Sequence, residues 1–353
     1  MRVIVIGATG NVGTSVLRSL ENEDQVESIL GLARRLPRLQ MRKVEWTAAD
    51  VTKDDLVPHL RGADAVVLLA WLKQPSRDLN KLWMNNVEGS MRAADAVKEA
   101  GVPVLLYASS IGTYSPAPKD RAVDESWLVD GIPTLYYSRQ KAEVERRLNH
   151  FEIQNPDVRV VRFRPAPAFK REAAEGLRRL FGGPFFPNFL ARPEFLNLVP
   201  EIKGLRLQIV HSYDVGEAYR LALLHDVRGA FNLAADPVLD AHEVGRVLNA
   251  RPLPVPFQLA RAGARLSWQL RLQPTVEGWL DLARSSPIMD TSRARQELGW
   301  TPQRSAEDAF LDLLAGLREG AGLDTPPLSP KSGGPCRIRE ILTGVGNQSL
   351  TFL

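Results

Sequence analysis

The sequence predicts an α/β fold built on a doubly wound parallel sheet, with a smaller C-terminal lobe interleaved with it. Three observations lead to this prediction. Short apolar runs without polar alternation, typical of strands buried on both faces, recur through the first 165 residues. Segments with helical spacing separate these runs, as βαβ units require. A glycine-rich turn follows the first run, at a passage from strand to helix.

The elements of this first region follow one another regularly along the chain. Apolar runs predict strands at Val3–Ile6, Ser28–Ala33, Val44–Trp46, Ala65–Leu69, Val102–Ala108 and Val158–Arg162. Helical spacing predicts helices over Thr14–Asn22, Asp54–Leu60, Leu79–Ala100 and Tyr136–Ile153. We therefore assign residues 1–165 to one doubly wound domain with right-handed crossovers.

The composition changes after Pro165, where proline, phenylalanine, glycine and arginine become frequent. Strand patterns at Leu205–His211 and Ala230–Leu233 predict a return to the sheet at about residues 205–235. Further helices are predicted over Val215–Leu224, His242–Leu248, Leu259–Leu272 and Ser305–Glu319. We assign residues 166–204 and 236–323 to the substrate lobe. The prolines and glycines of 324–353 predict a disordered or loosely attached tail.

Composition excludes several classes of function. The net charge is +4, from 45 Lys and Arg against 41 Asp and Glu. The sequence contains no basic run with interleaved aromatics, so nucleic-acid binding is not predicted. The sequence contains no apolar stretch of 18 residues, so no membrane span is predicted. The first apolar run is too short for a signal peptide, and we therefore expect a cytoplasmic protein. Cys336 is the single cysteine, and the five histidines form no HExxH pair, so no metal site is predicted.

The glycine-rich turn predicts a dinucleotide site of the Rossmann type. Glycines permit a tight turn and close approach of a pyrophosphate, and the following helix N-terminus offers free N–H groups. The strand–turn–helix context favours this interpretation over a glycine turn without a ligand. The candidate binding residues here are Gly7, Thr9, Gly10, Asn11, Val12 and Gly13.

The next cofactor signals lie at the ends of the following strands. An acid about 20 residues after the turn would bind the ribose of NAD, but Arg34 and Arg35 stand there and suit a 2′-phosphate. NADP is therefore slightly favoured over NAD, with solvated loop arginines as the alternative. Asp50 and Val51 follow the third strand, where a carboxylate could accept from the adenine amino group. Ala70 follows the fourth, where a small residue lets the cofactor lie close.

A candidate catalytic set follows from helical spacing and strand position. Tyr137 and Lys141 are four residues apart on a predicted helix, so they share one face. A phenol with an ordinary pKa of about 10 needs a nearby ammonium to act as a proton acceptor. Ser110 lies just past the strand that ends at Ala108, at the carboxyl edge of the sheet where ligands bind, and its hydroxyl can bind the reacting oxygen.

In these features the chain resembles the extended short-chain dehydrogenase/reductases, the NAD-dependent epimerase/dehydratase family, over roughly residues 1–318. Seven segments carry the resemblance: GATGNVG at 7–13, NVEGS at 86–90, YASSIGTY at 107–114, YSRQK at 137–141, RP at 164–165, HSYDV at 211–215 and LGWTP at 298–302. The resemblance implies that Asn86 supports the active-site helix and that Pro165 lies beside the nicotinamide. It also identifies Ser110 as the catalytic serine.

Two departures from the family pattern bear on the reaction. Ala33 and Arg34 stand where NAD-binding members usually carry an acid. Ile111 and Gly112 stand where the dehydratases carry an Asp-Glu pair, so dehydration is disfavoured. The resemblance thus implies hydride transfer at a carbinol or carbonyl carbon, with Tyr137 as acid or base.

Three functions stay open at this point. The first is an epimerase-like enzyme for a nucleotide sugar, whose phosphates could meet arginines 159, 162, 164, 171, 178 and 179 unless these form a solvated basic face. The second is an NADPH-dependent carbonyl reductase, which Arg34 and Arg35 favour. The third is a non-catalytic regulator that senses NADP, which the intact catalytic set disfavours. A homodimer through Leu79–Ala100 and Tyr136–Ile153 is a further expectation.

Overall fold

The computed structural model describes residues 1–192, 196–342 and 345–347. Its strands are β1 Arg2–Ile6, β2 Ser28–Ala33, β3 Val44–Ala48, β4 Ala65–Leu68, β5 Val104–Ala108, β6 Ala122–Val123, β7 Arg159–Pro165, β8 Ala168–Phe169, β9 Leu198–Glu201, β10 Leu207–His211, β11 Gly229–Leu233, β12 Ala235–Leu239, β13 Arg251–Pro254 and β14 Ile288–Met289. Seven of them form one sheet in the order β11-β7-β5-β4-β1-β2-β3. Every neighbouring pair in this sheet is parallel.

The helices lie between these strands and in the second lobe. They are α1 Asn11–Glu21, α2 Val57–Leu60, α3 Leu79–Trp83, α4 Gly89–Glu99, α5 Tyr136–Gln154, α6 Ala174–Leu177, α7 Ser212–Leu224, α8 Ala241–Leu248, α9 Phe257–Gln269, α10 Gly278–Ser285, α11 Ser292–Leu298, α12 Ala306–Glu319 and α13 Ile338–Leu342. A π-helical turn, Met84–Glu88, joins α3 to α4 within the region predicted as one helix. No helix in the described ranges is both long and apolar enough to cross a membrane.

Both faces of the large sheet are covered by helices. Val3 and Val5 of β1 belong to a core formed with α1 and α7, whereas Ile4 and Ile6 belong to a second core formed with α4 and α5. Successive side chains of a strand point to opposite faces, so this alternation places one helical layer on each side. The predicted doubly wound Rossmann sheet is therefore confirmed.

The second lobe carries small sheets of its own. The strand β10 pairs with β12 and β8 in a three-stranded sheet, while β11 alone from the later chain joins the large sheet beside β7. The sequence pattern predicted a return of both β10 and β11. Apolar content alone could not separate them, since both strands are buried.

The described part of the predicted loose tail packs against the rest of the molecule. The Thr325 hydroxyl donates to the carbonyl oxygen of Thr9 in the glycine turn at 2.9 Å. Leu328 is buried, and Arg178 forms a buried ion pair with Glu340. Specific contacts of this kind hold residues 324–342 despite their proline and glycine content, whereas residues 343–344 and 348–353 lie outside the described residues.

Candidate active site

The glycine turn between β1 and α1 is shaped by close backbone approaches. Gly7 has φ +88°, and a Cβ there would lie 2.6 Å from the backbone nitrogen of Ala70 at the end of β4. A Cβ on Gly13 would lie 2.5 Å from the carbonyl oxygen of Gly7. At Gly10, by contrast, a Cβ would meet only that oxygen, at 3.6 Å. Backbone atoms thus leave no room for a side chain at Gly7 or Gly13, whereas the space beside Gly10 is free.

The N-terminus of α1 opens onto the same turn without a side-chain cap. Gly10 is the N-cap residue, and no side chain accepts from the first N–H groups of the helix. The Asn11 side chain points away, since its Nδ2 donates to the carbonyl oxygen of Ala168 at 2.8 Å. Free N–H groups at a helix N-terminus bind phosphate oxygens, so the backbone of Asn11, Val12 and Gly13 fits a pyrophosphate.

The two arginines that follow β2 carry no ion pair in the part of the chain that the structure describes. Arg34 is exposed and Arg35 is half-buried. Burial and then the neighbouring charge of Arg34 hold the pKa of Arg35 below its ordinary value. Two adjacent guanidiniums without a carboxylate partner suit a phosphate group.

The residues predicted after β3 are engaged locally. Asp50 accepts from the backbone nitrogen of Thr52 at 2.9 Å and from its hydroxyl at 2.7 Å. Burial raises the pKa of Asp50, but these hydrogen bonds outweigh it, and the net shift is downward. Val51 is buried, and its Cγ2 would lie 2.7 Å from a Cβ on Gly89. Both residues follow β3, and their role in cofactor binding stays a prediction.

The turn after β5 brings Ser110 and Tyr137 together. Ser110 accepts from the backbone nitrogen of Gly112 at 3.0 Å, and a Cβ on Gly112 would lie 2.8 Å from Cε1 of the Tyr137 ring. Burial raises the pKa of Tyr137 to about 12, and a hydrogen bond with Ser110 opposes this shift. The predicted serine and tyrosine therefore meet at one point of the sheet edge.

Lys141 lies one turn further along α5 in an aromatic setting. Its Nζ donates to the carbonyl oxygen of Ala108 at 2.5 Å and lies 3.5 Å from the ring centroid of Trp71. Burial and then the charge of Lys73 hold the pKa of Lys141 well below its ordinary value. Trp71 also contacts Tyr137 edge-on at 6.0 Å. Trp71 thus contacts both the lysine and the tyrosine that sequence spacing paired.

A buried ion pair supports this arrangement from below. Glu145 of α5 is fully buried and binds Arg164 of β7 through two hydrogen bonds, 2.8 and 2.6 Å long. Its Oε1 also accepts from the hydroxyl of Ser109 at 2.5 Å. The Arg164 guanidinium in turn donates to Tyr114 at 3.0 Å. This network holds the turn that carries Ser110 against α5, the helix of Tyr137.

Asn86 links the chain after β4 to α5 through hydrogen bonds. It is fully buried in the π-helical turn, and it exchanges two hydrogen bonds with the backbone of Leu72, 2.7 and 2.8 Å long. Its Nδ2 also donates to Gln140 of α5 at 2.9 Å. Asn86 therefore connects the chain after β4 to the helix of Tyr137. Pro165 ends β7 at the same edge of the sheet.

Most of the six arginines proposed to meet substrate phosphates are already paired. Arg162 and Arg164 bind Glu145, Arg178 binds Glu175 and Glu340, Arg171 binds Glu319, and Arg159 binds Asp226. Arg179 differs from the other five, since within the described residues it forms no ion pair and donates to the carbonyl oxygens of Ser329 and Pro327. Substrate phosphates would have to compete with these carboxylates for five of the six arginines, so the predicted arginine cluster stays a prediction.

Two residues near the site escaped the sequence reasoning. Lys73 is half-buried, its Nζ lies 5.5 Å from the ring of Phe181, and burial lowers its pKa to about 8. Trp279 of α10 packs on Tyr137 with ring centroids 4.9 Å apart. Their positions depend on contacts with distant parts of the chain, and no spacing pattern in the sequence indicates them.

Fold and site together define a Rossmann-fold protein of the extended short-chain dehydrogenase/reductase class. The family model for the NAD dependent epimerase/dehydratase family matches residues 3–234. The chain belongs to this family.

Relatives of known sequence agree with this assignment over most of their length. An uncharacterized protein of Mycobacterium tuberculosis is 24% identical, covering 93% of this chain and 86% of that protein. A putative dihydroflavonol 4-reductase of Synechocystis is 23% identical, covering 88% and 92%. UDP-glucose 4-epimerase of Neisseria gonorrhoeae is 24% identical, covering 88% and 96%. Among solved structures, UDP-glucose-4-epimerase of Stenotrophomonas maltophila with bound NAD has a TM-score of 0.67 at 19% identity, covering 90% and 98%.

Proposed function

We propose that this protein is an NAD(P)-dependent enzyme that transfers a hydride at a carbinol or carbonyl carbon of a nucleotide-sugar-like substrate. The proposal rests on two features that lie at the same carboxyl edge of the sheet. One is the N-terminus of α1, which has no side-chain cap and has free space at Gly10, and the other is the pair Ser110 and Tyr137. A nicotinamide dinucleotide fits the first feature, and substrate proton transfer fits the second. The Neisseria relative and the Stenotrophomonas structure are named for activity on UDP-sugars.

Each residue has a defined task in this proposal. The bound nicotinamide would accept a hydride from the substrate carbon and, in an epimerase, return it. Tyr137 takes the proton of the substrate hydroxyl as the carbonyl forms, and gives it back in the reverse step. Ser110 donates to the same substrate oxygen. Because burial raises the pKa of Tyr137 to about 12, the phenol needs positive charge nearby. We assign this task to Lys141, one turn away on α5; since burial lowers its own pKa, the task requires a bound ligand that favours the ammonium form.

The decisive test of the enzymatic role is Tyr137→Phe. Removal of the phenol should lower kcat about 100- to 10,000-fold while leaving dinucleotide affinity within about threefold. The assay follows conversion of UDP-glucose and UDP-glucuronate by chromatography with NAD⁺ or NADP⁺ present. Tyr219→Phe is the matched control, since Tyr219 lies on α7 within the hydrophobic core and its buried hydroxyl has no hydrogen-bond partner in the described structure. An unchanged rate in Tyr137→Phe would overturn the proposed catalytic role.

A reductase that uses NADPH is the second candidate, and Arg34 and Arg35 favour it. A reductase consumes one NADPH per turnover, whereas an epimerase consumes none, so absorbance of the reduced cofactor separates the two. Replacing both arginines with alanine should weaken NADP⁺ more than NAD⁺ by about tenfold or more if they bind the 2′-phosphate. An equal change in affinity for both dinucleotides would instead indicate that these arginines are solvated loop residues.

A further inference from the structure

A buried lysine lies beneath the first turn of α1 and belongs to none of the roles described above. Lys170 follows β8 and is 1% exposed. Its Nζ donates to the carbonyl oxygen of Asn11 at 3.0 Å, to Thr14 Oγ1 at 2.7 Å and to Ser15 Oγ at 2.9 Å. All three ammonium hydrogens thus point into one helical turn. Among the described residues, Lys170 forms no ion pair.

This is an unfavourable place for a cation unless an anion accompanies it. The N-terminus of a helix carries a partial positive charge, so an ammonium in the first turn is repelled by the helix dipole. Burial adds to this cost, because a buried charge without a counter-ion loses its hydration. Burial accordingly lowers the pKa of Lys170 to about 7, with Glu172 opposing and Arg18 reinforcing the shift.

The charged and titratable groups around Lys170 do not supply the missing counter-ion. Glu172 is the nearest acid, but it accepts a hydrogen bond from the hydroxyl of Tyr213, whose ring centroid lies 5.2 Å from the lysine Nζ. Other charged groups on the packed elements are themselves paired: Asp214 of α7 with Arg304, Glu217 of α7 with Arg220, and Asp312 of α12 with His211, while Arg18 of α1 lies over the ring of Tyr213. The pKa of His211 is lowered, mainly by burial, which favours its neutral form.

The hydrogen bond to Asn11 gives Lys170 a direct connection to the phosphate-binding backbone. The carbonyl oxygen of Asn11 belongs to the peptide group whose N–H is that of Val12. A charged donor on the oxygen polarises this peptide group and makes its N–H a stronger donor. The Val12 N–H is one of the uncapped groups at the N-terminus of α1. The lysine therefore acts on the phosphate site from behind without entering it.

We infer that Lys170 is a positioning residue for the diphosphate of the cofactor, supplying buried positive charge through the first turn of α1. The inference rests on the proposed function, because it requires a dinucleotide on the glycine turn. The unfavourable placement of Lys170 in the free protein is then offset by the bound diphosphate. If Lys170 had a purely structural role, its replacement would change the affinity for nucleosides with and without phosphates equally.

The experiment compares the wild-type protein with Lys170→Met by calorimetric titration with ADP-ribose and with adenosine. ADP-ribose carries the diphosphate, and adenosine lacks it. The attraction between opposite charges weakens with their separation and with the effective dielectric constant, which is about 20 in such sites, so a buried charge behind the first turn of α1 should change diphosphate affinity by roughly 10- to 50-fold. We therefore expect Lys170→Met to bind ADP-ribose about 10- to 50-fold more weakly, with adenosine affinity changed less than about twofold. The melting temperature of the free protein should stay the same or rise.

The pH dependence gives a second readout. A diphosphate raises the pKa of the nearby ammonium, so binding takes up a proton when Lys170 starts out partly neutral. Wild-type affinity for ADP-ribose should therefore be highest at about pH 6.5 and fall towards about pH 9, whereas Lys170→Met should show a clearly shallower slope. The diphosphate ester itself does not titrate in this range.

Lys119→Met is the matched control. Lys119 also has a pKa lowered to about 8 by burial and donates to a carbonyl oxygen, that of Arg206, away from the glycine turn. It should retain both the affinity and its pH slope. Equal loss of ADP-ribose and adenosine in Lys170→Met, or unchanged ADP-ribose binding, would overturn the inference. Failure of the wild-type protein to bind either NAD⁺ or NADP⁺ would instead overturn the proposed function. If ADP-ribose also failed to bind, both the proposed function and the inference about Lys170 would be overturned.

Discussion

Replacing Glu145 with glutamine tests the buried network beneath Ser110. The Glu145 carboxylate accepts two hydrogen bonds from Arg164 and one from Ser109, and it lies 3.6 Å from Arg162. Glutamine has nearly the same shape but removes the negative charge between two guanidiniums. Removal of one partner of a buried ion pair costs about 3–5 kcal/mol, because the other charge stays buried and unpaired. Since glutamine keeps one acceptor oxygen, we expect a loss near the lower end, about 3 kcal/mol.

Urea unfolding followed by circular dichroism measures this loss. The matched control is Glu143→Gln, two residues away on α5, where the carboxylate pairs with Arg147 at 2.7 Å nearer the surface and should contribute about 0–1 kcal/mol. The network also predicts a pH effect. Burial raises the pKa of Glu145, but its arginine partners outweigh this and hold the pKa below its ordinary value. The stabilisation is therefore present above the unfolded-state pKa of 4.5 and is lost as the pH falls through the lower folded value. If Glu145→Gln costs no more than Glu143→Gln, or retains the full acid sensitivity, the reasoning is refuted.

Two further predictions concern the glycine turn and the C-terminal segment. Gly13→Ala should lower the melting temperature and abolish dinucleotide binding, because the new Cβ would lie 2.5 Å from a backbone oxygen. Gly10→Ala should fold normally and lose only phosphate affinity, because its Cβ would meet a single atom, at 3.6 Å. Calorimetry and nucleotide titration separate the two, and equal stability would contradict the geometry. Leu328→Ala should cost about 2–5 kcal/mol, because Leu328 is 4% exposed, while Leu342→Ala, at 79% exposed, should cost almost nothing. A harmless Leu328→Ala would mean that the segment is as loose as its composition suggests.

The sequence predicted the sheet because the signals for it are local. The alternation of apolar runs and helical spacing placed β1, β2, β5 and α5 to within about two residues, and the glycine turn fixed where the first strand meets its helix. Ser110 and Tyr137 were predicted for the same reason, since each has a fixed place relative to its own element. Chemistry that depends only on an element and its end can be read from one sequence.

Features that depend on distant contacts were not predictable in this way. The separate sheet of β10 depends on β8 and β12, and the packing of Thr325 depends on Thr9, 316 residues away. The arginines illustrate the point most clearly. Arg164 looked like a candidate phosphate ligand until Glu145, 19 residues away on another element, proved to be its partner. Charge in a sequence indicates a binding site only when the fold leaves that charge without a partner.

The lysines provide the converse case. Lys73, Lys141 and Lys170 all have a pKa lowered mainly by burial, and none forms an ion pair within the described ranges. Lys73 lies in the chain after β4, Lys141 lies on α5, and Lys170 lies behind α1, after β8 of the three-stranded sheet. The charge of Lys73 contributes to the lowered pKa of Lys141. An anion that binds beside such desolvated ammonium groups favours their charged forms, and we expect a dinucleotide to do so here. If Lys73→Met, like Lys119→Met, left dinucleotide affinity and its salt dependence unchanged, Lys73 would belong to the packing of Phe181 and not to the cofactor site.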